Sequence, residues 1–144
     1  MLVNQILKAK GDAAVVTVKP GTGVAEVAQI LAERRIGGVV VSSDGKKAEG
    51  IISERDIVRA LAVRGPDCMQ ECVDDMMTRK PVCGARDDTA DDVMKRMSEG
   101  RFRHMPIMEA GELVGIVTIG DVVAARLDEL AMERNALEGM IMGH

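Results

Sequence analysis

The sequence predicts an α/β protein of the α+β kind. Two β-α-β-β-α repeats should pack sheet to sheet about a pseudo-two-fold axis, and a long C-terminal helix should follow. Three observations predict it. The phrase Gly50-Ile51-Ile52-Ser53-Glu54-Arg55-Asp56 returns as Gly115-Ile116-Val117-Thr118-Ile119-Gly120-Asp121. The apolar patterning around each copy runs in the same order, and such self-similarity sets the architecture. A chain of 144 residues is also one ordinary domain or two very small units, and a unit of half that size cannot bury enough apolar surface alone. The expected division is residues 1–66 and 67–144, sharing a core and leaving two equivalent clefts, each lined by one phrase.

The elements follow in order. Val3, Ile6 and Leu7 make a short apolar helix, and the β-branched run from Ala13 to Val18 reads as a strand ended by Lys19-Pro20-Gly21. Val24, Val27, Ala28 and Leu31 have helical spacing, and Gly37-Gly38 stops that helix. Val39-Val40-Val41 is a buried strand, Asp44-Gly45 a hairpin signal and Ala48 to Ile52 the returning strand. Ser53 opens a helix that should turn Ile57, Val58 and Leu61 inward, until Arg64-Gly65-Pro66-Asp67 breaks it. Val73, Met76 and Met77 then echo Val3, Ile6 and Leu7, and Pro81-Val82-Cys83 reads as a weak first strand. Thr89 with Asp92 caps a helix carrying Ala90, Val93, Met94 and Met97 on its inner face. Arg103 to Met108 and Leu113 to Val117 form a hairpin around Ala110-Gly111, and Thr118 opens the last helix. At an offset of about 66 residues Val27 falls on Val93 and Gly45 on Gly111; one extra residue in the first hairpin then brings Asp56 onto Asp121. In the last helix Val123, Leu127, Leu130, Leu137 and Ile141 alternate at spacings of four and three, which fits a dimer contact or a cap over the core.

Composition removes several function classes. The chain is 47% hydrophobic and 29% charged, with a formal charge of −4 and Phe102 as its one aromatic residue. Few stacking rings and a negative balance argue against nucleic acid. No apolar run nears the roughly 18 residues that span a bilayer, and Met1 to Lys8 lacks the pattern of a signal peptide. Three cysteines without a pairing pattern fit a reducing cytoplasm, the expected location. The 11 methionines are expected to fill the core in place of aromatic bulk.

Each phrase ends an apolar strand with a hydroxyl residue and places an acid three positions on. That is a helix capping box, and it also sets a hydroxyl and a carboxylate at the positive end of a helix, where phosphate or ribose binds. Gly21-Thr22-Gly23-Val24-Ala25-Glu26 imitates a dinucleotide fingerprint but carries Glu26 at the third glycine, and no phosphate loop occurs elsewhere. Cys68 and Cys72 have no second pair to complete a metal site, and His144 is terminal. With two histidines, nucleophilic catalysis has few candidates, so an enzyme of nucleotide metabolism is the weakest alternative. Arg101-Phe102-Arg103-His104-Met105-Pro106 precedes a strand, and Arg103 and His104, expected opposite Thr118 and Asp121, offer donors to a phosphate. Arg55 is similarly placed in the first phrase.

Together these residues resemble a tandem pair of CBS (cystathionine-β-synthase-type) domains, the Bateman module, over nearly the whole chain. The resemblance rests on Gly-hydrophobic-x-Ser/Thr-x-x-Asp at Gly50 to Asp56 and Gly115 to Asp121, and on Arg103 to Pro106. It implies a regulatory module that binds an adenine nucleotide, AMP foremost, or ATP, NAD or S-adenosylmethionine. Asp56 with Ser53 and Asp121 with Thr118 would hold the ribose, Arg103 and His104 the phosphates, and Val16 and Val82 would lie near the base. It also implies a homodimer that signals to a separate regulated protein. One departure stands out: Gly37-Gly38 occupies the place of Arg103-His104, so the first phrase must draw its cations from Arg55 or from the other half, and the two sites should differ. Asp121 is expected to cap its helix when the cleft is empty and to turn to a ribose when it is filled. A ligand-independent dimeric interaction module is the alternative reading.

Overall fold

The computed structural model describes residues 1–11 and 15–142; Ala13 and Ala14 of the expected first strand, and His144, lie outside the described residues. The first half runs α1 (Val3–Lys10), β1 (Thr17–Val18), α2 (Val24–Arg34), β2 (Gly38–Val41), β3 (Gly50–Ser53) and α3 (Glu54–Arg64). Two 3₁₀ turns, Pro66–Gln70 and Val73–Asp75, and β4 (Thr78–Arg79) lead into α4 (Ala90–Gly100), β5 (His104–Glu109), β6 (Glu112–Thr118) and α5 (Ile119–Ile141). The architecture is the expected repeated α/β arrangement with a long last helix, complete in the first half and short of its first strand in the second.

The first sheet has the order β1-β2-β3-β4, with β1 parallel to β2 and the other pairs antiparallel. In the second, β5 and β6 form an antiparallel hairpin whose turn residues Ala110 and Gly111 both have positive φ. The expected strand at Pro81-Val82-Cys83 does not form. Proline has no N–H to offer a ladder, and pairing is reduced to one parallel bridge between Gly84 and Ile107. There Gly84 donates to Pro106 O and accepts from Met108 N, both at 2.9 Å. The equivalent place in the first half is the pair Val18–Val41.

Two apolar cores result, rather than the single shared one expected, and each is completed by the other half. Val18, Val24, Val27, Leu31, Val39, Val41, Ile52 and Ile57 form the first, which also takes in Val73, with Met76 and Met77 packed against it. The second gathers Val93, Met97, Met105, Ile107, Val117 and Val122 together with Val3 and Ile6 of α1. The lead-in segments that echo one another in sequence have therefore exchanged places. The phrase glycines explain how they seat. A Cβ on Gly115 would stand 2.6 Å from Leu7 Cδ2, and one on Gly50 would stand 2.5 Å from Met77 Sδ. A Cβ at either place would force its neighbour to shift, so each glycine is a socket for the opposite half's lead-in residue.

Helix α3 turns Ile57 and Ala60 inward, whereas Val58 and Leu61 are 63% and 38% exposed. The buried stripe uses the small Ala60, which carries less apolar weight in the sequence than its two larger neighbours. Helix α5 buries Val122 and Ala125 only, leaving Leu127, Leu130, Leu137 and Ile141 exposed. Met97 and Met105 fill the second core, while Met132, Met140 and Met142 lie exposed on or after α5. Among the described residues no helix is long and apolar enough to cross a membrane.

Candidate ligand-binding site

Both phrases fold as the capping boxes their spacing predicts. In α3 the Ser53 N–H donates to Asp56 Oδ2 at 2.9 Å, Ser53 Oγ donates to the same oxygen at 3.0 Å, and the Asp56 N–H returns to Ser53 Oγ at 3.3 Å. In α5 the Thr118 N–H donates to Asp121 Oδ2 at 2.9 Å and the Asp121 N–H to Thr118 Oγ1 at 3.1 Å. The next amide at each helix start is also used: Glu54 N–H donates to Gly37 O at 2.8 Å and Ile119 N–H to Arg103 O at 2.9 Å. These bonds tie each phrase to the strand before it. They also narrow the open donors that a helix end normally presents. The caps use only Oδ2, and neither Asp56 Oδ1 nor Asp121 Oδ1 has a hydrogen bond among the described residues. In each box the second carboxylate oxygen is left open to a further donor while the cap stays closed.

Two cavities adjoin these helix starts. The larger, about 740 Å³, is lined by Thr118, Gly115 and Ile116 from the second phrase, by Val16, Ile36, Gly37 and Gly38 from the first half, and by Lys10 of α1. Asp121 does not line it directly. It meets the cavity through Lys10, whose Nζ lies 2.8 Å from Asp121 Oδ2 and 2.9 Å from Ile116 O. The smaller cavity, about 390 Å³, joins Ser53, Arg55, Asp56 and Arg59 to Val82 and to Arg101, Phe102 and Arg103 of the second half. Each cavity thus combines the phrase of one half with the strand start of the other.

This crossing corrects one expectation. Arg103 does not face Thr118 and Asp121; it lines the cavity of Ser53 and Asp56. Adjacent residues at a strand start point to opposite faces. His104, paired with Thr118 in the ladder, therefore takes a different direction from Arg103. The His104 ring lines both cavities. It lies against the two glycines at its pseudo-equivalent place: a Cβ on Gly37 or on Gly38 would come within 3.1 Å of it. Burial pushes its pKa below the ordinary imidazole value; the carboxylates of Glu54, Asp56 and Asp121 oppose that shift, and Lys10 adds to it.

Of the expected site residues, Ser53, Arg55, Asp56, Val82, Arg103 and His104 meet in the smaller cavity, and Thr118, Val16 and His104 in the larger. Pro106 lines neither: it is buried in β5, with its carbonyl accepting from Gly84. Sequence reasoning missed Arg59, Lys80, Lys10, Arg35 and Arg86, all of them lining residues. Arg59 could have been found one helical turn beyond Arg55. Lys10 and Lys80 could not, because their positions depend on the exchange of lead-in segments. Among the described residues no group of three or more His, Cys, Asp or Glu side chains is placed to hold a metal.

The sequence profile of the CBS domain matches residues 11–63 and again residues 73–128. The chain belongs to the CBS domain family. Among solved structures this CBS domain pair is similar to the CBS-domain containing protein ATU1752 from Agrobacterium tumefaciens, with 43% identity and a TM-score of 0.82 over 88% of this chain and 99% of that one. It is 27% identical to the CBS domain pair of protein MJ0100, whose structure is a complex with 5′-methylthioadenosine and S-adenosyl-L-methionine (TM-score 0.76; 90% and 98% covered). It is also 27% identical to the CBS domain protein PAE2072 from Pyrobaculum aerophilum, solved in complex with AMP (TM-score 0.75; 92% and 99% covered). The chain spans 76% of the length of one curated relative and 23% of two others.

Proposed function

We propose that this CBS domain pair is a non-enzymatic regulatory module that binds an adenine nucleotide and passes its occupancy to a partner protein, acting as a homodimer. AMP is the foremost ligand, with ATP, NAD and S-adenosylmethionine as the others to test. The observation that carries the reading is the crossed construction of the cavities. Each pairs one half's capped helix start with apolar lining from the opposite half; Asp56, whose Oδ1 has no hydrogen bond among the described residues, lines the smaller cavity, and Asp121 reaches the larger one through Lys10. Such an arrangement can accept ribose hydroxyls at the carboxylate, a flat base against valine and a phosphate at the surrounding cations. The AMP, 5′-methylthioadenosine and S-adenosylmethionine complexes of similar CBS proteins support the adenosyl part of this reading. Because a bound ligand would touch both halves at once, it would bias their relative placement, which a partner could sense.

Titration of the protein with AMP, ATP, NAD and S-adenosylmethionine by calorimetry tests it. Binding of at least one below millimolar concentration is expected, and silence from all four ends the proposal. The second reading, a dimeric interaction module that needs no ligand, is favoured by the exposed apolar stripe Leu127, Leu130, Leu137 and Ile141 on α5.

A further inference from the structure

The five cations lining the smaller cavity, Arg55, Arg59, Lys80, Arg101 and Arg103, have no ion-pair partner among the described residues. Asp56 is the one acid lining that cavity. The larger cavity has Lys8, Lys10, Arg35 and Arg86, but Lys10 is paired with Asp121 and Arg86 with Glu109, each at 2.8 Å. The repeat exposes the origin of this imbalance. Arg55, Arg59 and Arg103 occupy places that Gly120, Ala124 and Gly37 hold in the larger cavity's half of the pattern. At three equivalent positions one cavity carries a guanidinium and the other has no charge. The larger cavity instead offers apolar surface from Leu7, Val16, Ile36 and Val114.

We propose that the cavity of Ser53 and Asp56 is a polyphosphate site, taking nucleoside di- or triphosphates, whereas the cavity of Thr118 takes adenosyl ligands with one phosphate or none. This rests on the nucleotide-binding reading and assigns a ligand class to each of its two sites. Like charges gathered around one opening repel one another until an anion enters, and guanidinium groups recognise successive phosphates by paired hydrogen bonds. A single phosphate satisfies one or two such groups; a triphosphate satisfies the whole set. The thioether of 5′-methylthioadenosine bears no charge, and the one carboxylate of S-adenosylmethionine satisfies a single guanidinium, so neither uses the whole set.

The test is calorimetry on the full chain with ATP, AMP, S-adenosylmethionine and inorganic tripolyphosphate, before and after the double substitution Arg55→Gln, Arg59→Gln. ATP and tripolyphosphate should compete for one site per chain, and both should weaken at least about tenfold in the variant. S-adenosylmethionine should stay within about twofold, and unchanged thermal melting would show that the variant is folded. The reciprocal change, Gly120→Arg with Ala124→Arg, should create a second ATP site; a Cβ at Gly120 meets nothing nearer than Thr118 Oγ1 at 3.6 Å, so the backbone there accepts a side chain. ATP affinity that ignores the arginines, or an equal loss for S-adenosylmethionine, overturns the assignment while leaving nucleotide binding intact. Tripolyphosphate binding lost with the arginines, in a protein that binds no nucleoside ligand, would uphold the phosphate site and end the sensor reading instead.

Discussion

The two cavities start from the same phrase, the same cap and the same strand order, yet they diverge at the strand start. In one half Gly37-Gly38 leaves a gap; in the other Arg103-His104 fills two directions at once. The imidazole occupies the gap, and the guanidinium serves the opposite cavity. Lys10 deepens the difference. At the larger cavity it is paired with Asp121 behind it, while Lys80, which lines the smaller one, has no such pairing with Asp56. Internal repetition thus preserves the backbone solution, the capped helix start, and leaves the neighbouring positions to set charge. Two clefts built on one phrase can in this way differ in charge without any change of fold.

The largest expected effect probes the glycine sockets. Gly115→Ala should cost about 1–3 kcal/mol through overpacking against Leu7, read as a fall in the denaturation midpoint. Gly50→Ala should cost a similar amount: the Met77 thioether can move aside, but the Thr78 backbone oxygen, 3.2 Å from the new Cβ, cannot. A glycine whose substitution costs nothing would not be a socket. Next come the carboxylates. Asp56→Ala and Asp121→Ala should each weaken adenine-nucleotide binding at their own cavity by about tenfold and remove a helix cap worth about 1 kcal/mol. Loss of stability without loss of affinity would favour the ligand-independent module.

The smallest effect concerns His104. Burial holds its folded-state pKa below the unfolded value of about 6.5, so on acidification the unfolded chain takes up the proton first. Its contribution is therefore complete above about 6.5 and is lost as the pH falls from there toward the folded value. Glu54, Asp56 and Asp121 temper the loss and Lys10 increases it. Urea unfolding at about pH 7.5 and pH 5.5 should show this decline, and His104→Asn should flatten it; an unchanged slope would place the pH dependence elsewhere.

Periodicity carried most of the fold. The helices capped by Ser53, Thr89 and Thr118, the hairpin at Ala110-Gly111 and the doubling itself are all local patterns, and local patterns survive in a sequence. What failed depended on partners. A repeat shows that Val3, Ile6 and Leu7 correspond to Val73, Met76 and Met77, but it does not say which core each will join. The same blindness put Arg103 beside Thr118, because neighbours in a repeat were taken for neighbours in space. At Val58 and Leu61 the error was one of phase: with small Ala60 on the true inner face, side-chain size pointed the wrong way. Pro81 failed for want of a single backbone proton.

The exchanged lead-in segments change how the molecule holds together. Leu7 over Gly115 and Met77 over Gly50 are the two arms of a domain swap, sealed inside one chain. Each half thus carries one arm and one socket, and each arm is seated in the other half's socket. Drawing the halves apart would unseat both arms at once.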